Sequence, residues 1–224
     1  MIRLMSCVVA ALLLSACASG GGAQREFDWL GAWFTGEHTQ EPTPHLDARY
    51  SYLRVHQDAQ PSAYLVLGYL DGQGSQAIQT WYSAQREVLQ VQQGRIIAAH
   101  GLPVAWHHVT WSPTLPDWPE VASVRSYRRQ LDVDQSAYAR VDDLVLRAVS
   151  WVDVPDQVRS GIKSDDTSPE PGPQWRWFVE QPKTDDGELS APLTTWLALG
   201  QDGNWAFTRQ CLRADYCLNL QPWP

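Results

Sequence analysis

The sequence lacks most of the motifs that identify enzymes and metal proteins. Its six histidines are scattered without the H-E-x-x-H spacing, and neither a G-x-S-x-G nucleophile motif nor a phosphate-binding glycine loop occurs. Only 19% of the residues are charged, and the net charge is −8. Bulk electrostatics therefore disfavours nucleic acid and anionic membrane surfaces as partners. It does not exclude a neutral partner.

The few residues that could carry chemistry have simpler interpretations. Adjacent His107 and His108 on a strand point to opposite faces, so they do not readily share one metal ion. Four carboxylates could in principle supply an acid–base pair for glycoside hydrolysis. They are Asp132, Asp134, Asp142 and Asp143. Because they fall in or beside a predicted polar turn, we interpret them as solvated charges, and we expect no metal and no cofactor.

The N-terminus has the pattern of a bacterial secretion signal. Arg3 precedes an apolar run of eleven residues, 4–14. As a helix this run would span roughly 16 Å, about half of a bilayer core, which is too short for a membrane anchor. It ends in Leu14-Ser15-Ala16-Cys17, which resembles the lipobox of bacterial lipoproteins. We expect a signal peptide over 1–16, lipid on Cys17, and a flexible Gly-rich tether over 17–25.

The alternative for this region is an ordinary signal-peptidase site, because Ala16-Cys17-Ala18 also fits small-residue cleavage. If Cys17 is acylated, several acyl chains hold the protein on a bilayer. Ala18, in place of Asp, resembles the sorting pattern for the outer membrane, so a periplasm-facing outer-membrane location is expected. Cleavage removes Arg3 and no acidic residue, so the net charge changes from −8 to −9.

The rest of the chain reads as short strands and turns. Twelve Trp, 15 Gly and 15 Pro accompany alternating apolar residues. The predicted strands cover 50–55, 63–70, 77–82, 88–92, 95–100, 123–131, 144–152, 175–179, 194–199, 205–208 and 218–223. There is no internal repeat and no second core. We therefore predict one mainly antiparallel, all-β domain over 26–224, a barrel or a curled β-sandwich, with one short N-terminal helix over 25–34.

The most regular stretch is 80–103, which predicts a strand leading into a hairpin. Gln93-Gly94 is the expected two-residue tip, because Gly94 tolerates the positive φ of a tight turn. The expected cross-strand pairs are Val91 with Ile96, Leu89 with Ala98, Gln92 with Arg95, and Gln90 with Ile97. A longer tip remains an alternative, because Gln is less favourable than Asn or Asp at the first position of the turn.

This stretch resembles the GfcB/YjbF family of lipoproteins, which are encoded with group 4 capsule and exopolysaccharide secretion systems. The resemblance rests on W-Y-S-A at 81–84 and on V-L-Q-V-Q-Q-G-R-I-I-A-A-H-G-L-P at 88–103. It extends upstream to R-Y-S-Y-L-R-V and A-Y-L-V-L-G-Y, and downstream to the hairpin around Asp202-Gly203. The sequence departs from the family pattern at Ala98-Ala99-His100, at Tyr127 and at Ala198.

The resemblance implies a β domain and a non-enzymatic accessory role in export or assembly of exopolysaccharide or capsule. It implies a periplasmic partner and an outer-membrane barrel partner. Two alternatives remain. One is a module that binds the polysaccharide directly, and the other is a periplasmic glycan hydrolase.

Tryptophans are the candidate glycan-contacting residues. An exposed ring can stack on the apolar face of a sugar, and Trp106, Trp111 and Trp118 fall in a Trp- and Pro-rich segment expected to be a connection. These three positions are the candidates for glycan stacking. The favoured interpretation is that they bury their large area in core or loop packing, and this interpretation is stronger still for Trp205 and the other tryptophans on strands.

Two cysteines are expected to pair. Cys7 leaves with the signal and Cys17 carries lipid, which leaves Cys211 and Cys217 in C-L-R-A-D-Y-C. The periplasm is oxidising, so a disulfide is expected. A metal site is the alternative, but it needs further ligands that no nearby Cys or His supplies.

The disulfide predicts a simple chemical result. Protein isolated from the periplasm should take up no iodoacetamide before reduction and two equivalents after it, because only Cys211 and Cys217 remain unmodified. Intact mass measures the uptake, and a Cys211→Ser/Cys217→Ser variant is the control. Two labelled thiols before reduction would contradict the pairing.

Overall fold

The chain forms one closed antiparallel barrel. The computed structural model describes residues 46–58, 60–115, 118, 124–133, 139–163, 172–183 and 193–223. Twelve strands follow one another around the ring in chain order, and the last strand pairs with the first. The all-β prediction is confirmed, in its barrel form. The predicted signal peptide, tether and helix over 25–34 lie outside the described residues.

The bounds of the elements differ from the sequence predictions by a few residues in most cases. The strands are β1 (Tyr52–Gln57), β2 (Ala63–Asp71), β3 (Ile78–Tyr82), β4 (Val88–Gln92), β5 (Arg95–His100), β6 (Trp106–Ser112), β7 (Arg125–Val133), β8 (Arg140–Val149), β9 (Arg176–Pro182), β10 (Thr195–Leu199), β11 (Trp205–Arg213) and β12 (Tyr216–Trp223). The described helices are α1 (Asp156–Arg159) and 3-10 turns at Gly74–Gln76, Trp151–Asp153 and Gly172–Gln174. None of the described helices has the length and the apolar composition of a membrane-spanning segment.

One predicted connection is a strand. The segment from Trp106 to Ser112 pairs with β7, from Trp106 opposite Val133 to Ser112 opposite Arg128. A register shift after Trp106 leaves His107 and His108 both exposed. This bulge interrupts the period-two alternation from which a strand is predicted, which is why the sequence pattern indicated a connection.

The hairpin of β4 and β5 confirms the predicted tip. Gln93 and Gly94 have φ values of +51° and +77°, as a type I′ turn requires at both central residues. The pairs Val91–Ile96 and Gln92–Arg95 are present as predicted. Beyond them a bulge shifts the register by one residue, so the other two pairs differ from the prediction. Leu89 lies opposite Ala99, and Gln90 lies opposite Ala98.

The barrel is flattened, so its opposite walls touch. Gln210 on β11 reaches across the interior, where its Oε1 accepts a hydrogen bond from the Ile96 backbone N at 2.9 Å. Its Nε2 donates to the Ile96 carbonyl at 3.5 Å. Because β5 and β11 are not neighbours in the ring, this contact spans the barrel. Two apolar clusters fill the remaining interior, and Trp111 and Trp205 pack against both.

The two ends of the barrel differ. One end, here called the mouth, carries the β2–β3, β4–β5 and β10–β11 turns, together with the start of β1 and the end of β12, where Tyr52 lies opposite Trp223. The opposite end, the base, carries the β11–β12 hairpin. There Cys211 and Cys217 are cross-strand partners joined by a disulfide, as predicted.

The described parts of the β8–β9 connection cover the outside of the barrel. Val154 and Val158 are fully or almost fully buried, in one apolar cluster with Trp177, Ala198 and Phe207 from β9, β10 and β11. Where the connection covers them these strands bury both faces, which explains their consecutive apolar residues at 177–179, 196–199 and 205–207. The domain has an inner core and an outer one.

Asp58, which follows β1, connects α1 in this outer layer to β11 of the barrel. Its Oδ1 accepts a hydrogen bond from Arg209 Nη1 on β11 at 2.7 Å. Its Oδ2 accepts one from Gln157 Nε2 on α1 at 2.9 Å. The hydrogen bond from Arg209 is the main cause that lowers the pKa of Asp58, although burial opposes it.

We expect Asp58→Asn to remove part of the acid sensitivity of folding. The folded-state pKa lies below the ordinary value of 3.8, so the contribution is complete above pH 3.8 and is lost as the pH falls further. Asp58 is partly exposed, so the loss at pH 7 should be at most about 1 kcal/mol. Urea unfolding at pH 7 and pH 3 measures it, with the exposed Asp156→Asn as control. A wild-type advantage that is the same at both pH values would contradict this role.

Candidate functional site

The three tryptophans considered as candidates for glycan stacking face the barrel interior. Trp106 is 2% exposed and Trp118 is 4% exposed, while Trp111 is half-buried and packs against both interior clusters. Stacking on a polymer needs an open ring face, which Trp106 and Trp118 do not offer. Packing therefore describes both rings, and stacking at these two positions is corrected.

Arginine side chains occupy the faces of these rings. The guanidinium carbon of Arg95 lies 4.5 Å from the ring centroid of Trp118 and 5.8 Å from that of Trp111. The guanidinium carbon of Arg129 lies 5.4 Å from the ring centroid of Trp106. A cation over an indole face is attracted by the ring quadrupole, more strongly when both are shielded from water. The tryptophan rings thus pack on the buried guanidinium groups of Arg95 and Arg129 and help to stabilise their positive charges.

Arg95 is the centre of the first interior cluster. It is 1% exposed, as is Glu180 on β9. Arg95 Nε donates to Glu180 Oε2 at 2.7 Å, and Arg95 Nη2 donates to the hydroxyl of Tyr127 at 3.1 Å. The Tyr127 hydroxyl in turn donates to Glu180 Oε2. Arg95 Nη1 has no acceptor among the described residues. The cation–π contact with Trp118 partly offsets this missing hydrogen bond.

The phenol of Tyr127 stays protonated in this cluster. Burial is the main cause that raises its pKa, while the positive charge of Arg95 opposes the shift and the negative charge of Glu180 adds to it. A protonated phenol can donate to the carboxylate while it accepts from the guanidinium. The three groups are therefore joined by hydrogen bonds to one another, while Arg95 Nη1 remains without an acceptor among the described residues.

A second interior pair lies nearer the base. Arg129 Nη2 donates to Asp142 Oδ2 at 2.7 Å, and Arg140 Nε donates to Asp142 Oδ1 at 2.8 Å. Asp142 is buried, which corrects its interpretation as a solvated charge. Asp143, on the opposite face of β8, pairs on the surface with Arg128. Neighbours on opposite faces of a strand cannot flank one glycosidic bond, so these two do not form the acid–base pair considered above.

Of the other candidate residues, Asp132 is exposed and Asp134 lies outside the described residues. The rings of His100 and His107 approach each other, with centroids 5.7 Å apart. In the described part of the chain, no group of three or more His, Cys, Asp or Glu is placed to hold a metal ion.

A pocket opens at the mouth. It has a volume of about 360 Å³ and is lined by residues from two distant parts of the chain, 74–93 and 202–222. The β2–β3 turn contributes Ser75, β3 contributes Gln79, and the β4–β5 tip contributes Gln93. The β10–β11 turn contributes Asp202 and Asn204, and β11 begins with Trp205. Barrel mouths are common positions for ligand sites.

Gln93 is the unusual residue of this pocket. It is 4% exposed, yet neither its side-chain oxygen nor its side-chain nitrogen has a hydrogen-bond partner among the described residues. Its backbone has a positive φ, which is uncommon for a residue with a side chain. The sequence predicts Gln93 as a turn residue and Trp205 as a core residue, and it does not show that both line one pocket. The strong Asp202-Gly203 turn signal beside Trp205 was the available indication that this ring lies at a barrel end.

Comparison with known proteins supports the fold. The crystal structure of the hypothetical lipoprotein YmcC from Escherichia coli K12 is similar to this barrel, with a TM-score of 0.58 and 14% sequence identity over 83% of this chain and 98% of YmcC. The chain has a YmcC-like fold. At this identity the similarity concerns the fold alone. No protein-family model and no curated protein matches the sequence.

The interior cluster predicts a marked contrast between two glutamine substitutions. Glu180→Gln leaves the Arg95 guanidinium buried without a counter-charge, which should cost roughly 3–5 kcal/mol of unfolding free energy. Arg128→Gln, the control, breaks a solvent-exposed pair and should change stability very little. Urea unfolding with the disulfide intact measures both. Equal stability of the two variants would show that the interior pair does not hold the barrel together.

Proposed function

We propose that the chain is a lipid-anchored outer-membrane lipoprotein of the GfcB/YjbF type, which assists export or assembly of exopolysaccharide or capsule without catalysing a reaction. The observation that carries the proposal is the lipobox-like Leu14–Cys17 motif ahead of a domain with the fold of a lipoprotein. The motif supplies the anchor, and the β domain over 26–224 supplies the surface that meets partners.

The arrangement of charges supports a non-catalytic role. The interior carboxylates Glu180 and Asp142 are each neutralised by arginine and buried from solvent. A catalytic acid or base must reach substrate, and these two are enclosed. In this proposal the paired charges stabilise the barrel, while the outer surface docks a periplasmic protein and an outer-membrane barrel protein of the export system.

The anchor is tested by Cys17→Ala in cells that make the polymer. We expect wild-type protein to incorporate palmitate and to sediment with the outer membrane, and the variant to lose both properties because the thiol that accepts lipid is gone. Secreted polymer should fall to the level of a strain that lacks the protein. Cys7→Ser, which changes a cysteine within the signal peptide, is the matched control and should leave all three readouts unchanged.

Two results would contradict the proposal. One is outer-membrane residence and polymer output that survive Cys17→Ala. The other is release of sugars from the secreted polymer by the purified protein, because an accessory component leaves the chain length of the polymer unchanged.

A further inference from the structure

We propose that the mouth pocket is a binding site for a neutral saccharide unit. The pocket is defined by Gln79, Gln93, Asp202, Asn204 and Trp205. A saccharide ligand would refine the proposed accessory function. The proposal rests on that function only in taking the exported polymer as the source of the sugar. The binding itself can be measured independently.

The first argument is the unmet hydrogen-bonding capacity of the pocket. Both polar side-chain atoms of Gln93 lack partners, and so does the side-chain oxygen of Gln79, among the described residues. A buried amide without partners is destabilising, and most such groups in native proteins are satisfied. An amide offers two donors and an acceptor, which matches hydroxyl groups that both donate and accept. A polyhydroxylated ligand would satisfy these groups together.

The second argument is the polar edge that Asp202 and Asn204 give to the pocket. Asp202 Oδ1 accepts a hydrogen bond from the Asn204 backbone N at 3.0 Å, and Asp202 Oδ2 accepts one from Asn204 Nδ2 at 2.8 Å. These bonds fix the carboxylate but leave acceptor capacity on both oxygens, because an ionised carboxylate has about four lone-pair positions. Asp202 is therefore oriented in advance to accept hydrogen bonds from hydroxyl groups.

The third argument is the aromatic wall. Trp205 is half-buried and lines the pocket. The β4–β5 tip packs closely against it, because a Cβ atom at Gly94 would lie 3.2 Å from Trp205 Cβ and 2.9 Å from Thr208 Oγ1. The absence of a side chain at Gly94 thus lets the tip that carries Gln93 approach Trp205 closely. The result places an indole beside amide and carboxylate groups, which suits the apolar face and polar edge of a sugar ring.

The charge of the lining selects the ligand class. None of the lining residues that the structure describes is Lys, Arg or His, and Asp202 is acidic. An anionic sugar would therefore meet repulsion without a compensating cation. The volume of about 360 Å³ is near the lower end of the range of roughly 300–1,000 Å³ for small-molecule sites. The ligand is thus one or two neutral sugar rings and not a long segment of polymer.

The test uses the full-length lipoprotein in a zwitterionic detergent without a sugar headgroup. Saturation-transfer difference NMR is recorded with the methyl glycosides of glucose, galactose, mannose and N-acetylglucosamine, and with glucuronate as the charged comparator. We expect at least one neutral glycoside to bind and glucuronate to bind more weakly than methyl glucoside. Absence of binding by all four neutral glycosides, or tighter binding of glucuronate, would overturn the proposal.

The decisive variant is Gln93→Gly. Glycine accepts the positive φ at this position without strain, so the variant should fold at least as well as the wild type, and thermal unfolding checks this. Loss of the amide should weaken glycoside binding by roughly tenfold or more. The matched control is Arg86→Gly, which replaces another residue of positive φ (+72°) in the β3–β4 turn at the base. Unchanged binding by Gln93→Gly, or equal loss in the control, would refute the site.

The two proposals fail in different ways. If Cys17→Ala leaves location and polymer output intact but glycosides bind and Gln93→Gly abolishes binding, the accessory role is wrong and the pocket stands. If location and output depend on Cys17 but no glycoside binds, the pocket is wrong and the accessory role stands.

Discussion

The contact between opposite walls of the barrel is the constraint on which the structure depends. A round barrel of twelve strands is wider than the eight-stranded barrels whose interiors side chains just fill. Here the ring is closed by β1 and β12 and flattened until Gln210 on β11 bonds the backbone of Ile96 on β5. Flattening turns the interior into two apolar clusters, with Trp111 and Trp205 packed against both. The fold thus combines the closed edges of a barrel with the two facing walls of a sandwich.

The interior also contains charges, and their partners explain where the tryptophans go. Arg95 and Arg129 are buried, and a buried cation is costly unless it is paired and hydrogen-bonded. Glu180 and Asp142 supply the counter-charges, while tryptophan rings cover the guanidinium faces. In this protein the rings of Trp106, Trp111 and Trp118 pack on arginine guanidinium groups. Trp205 lines the mouth pocket beside polar side chains.

Local features of the fold could be predicted from the sequence because they depend on neighbouring residues. Alternation gave the all-β class, and Gln93-Gly94 marked a tight turn whose first two cross-strand pairs are observed. The bulge in β5 was not predictable from alternation, since nothing in the pattern shows which residue is unpaired. For the same reason, the bulge after Trp106 in β6 could not be predicted from alternation.

The interior networks could not be predicted because their partners are distant in the chain. Arg95 and Glu180 are separated by 85 positions, and Gln210 and Ile96 by 114. Sequence spacing carries no information about such pairs. The sequence pattern therefore indicates a solvated turn charge at Asp142 and a candidate stacking ring at Trp118. The mouth pocket could not be predicted for the same reason, because only closure of the ring brings residues 74–93 beside residues 202–222.

Residue-resolved hydrogen exchange of the native protein tests the closed, flattened ring most directly. The account predicts that the amides shared by β1 and β12 exchange as slowly as those between β10 and β11, because neither strand is an edge. It also predicts slow exchange at Ile96, whose N–H is held by Gln210 from the opposite wall. Rapid exchange along β1 and β12, at the rate of exposed edge strands, together with a rapidly exchanging Ile96 amide, would contradict it.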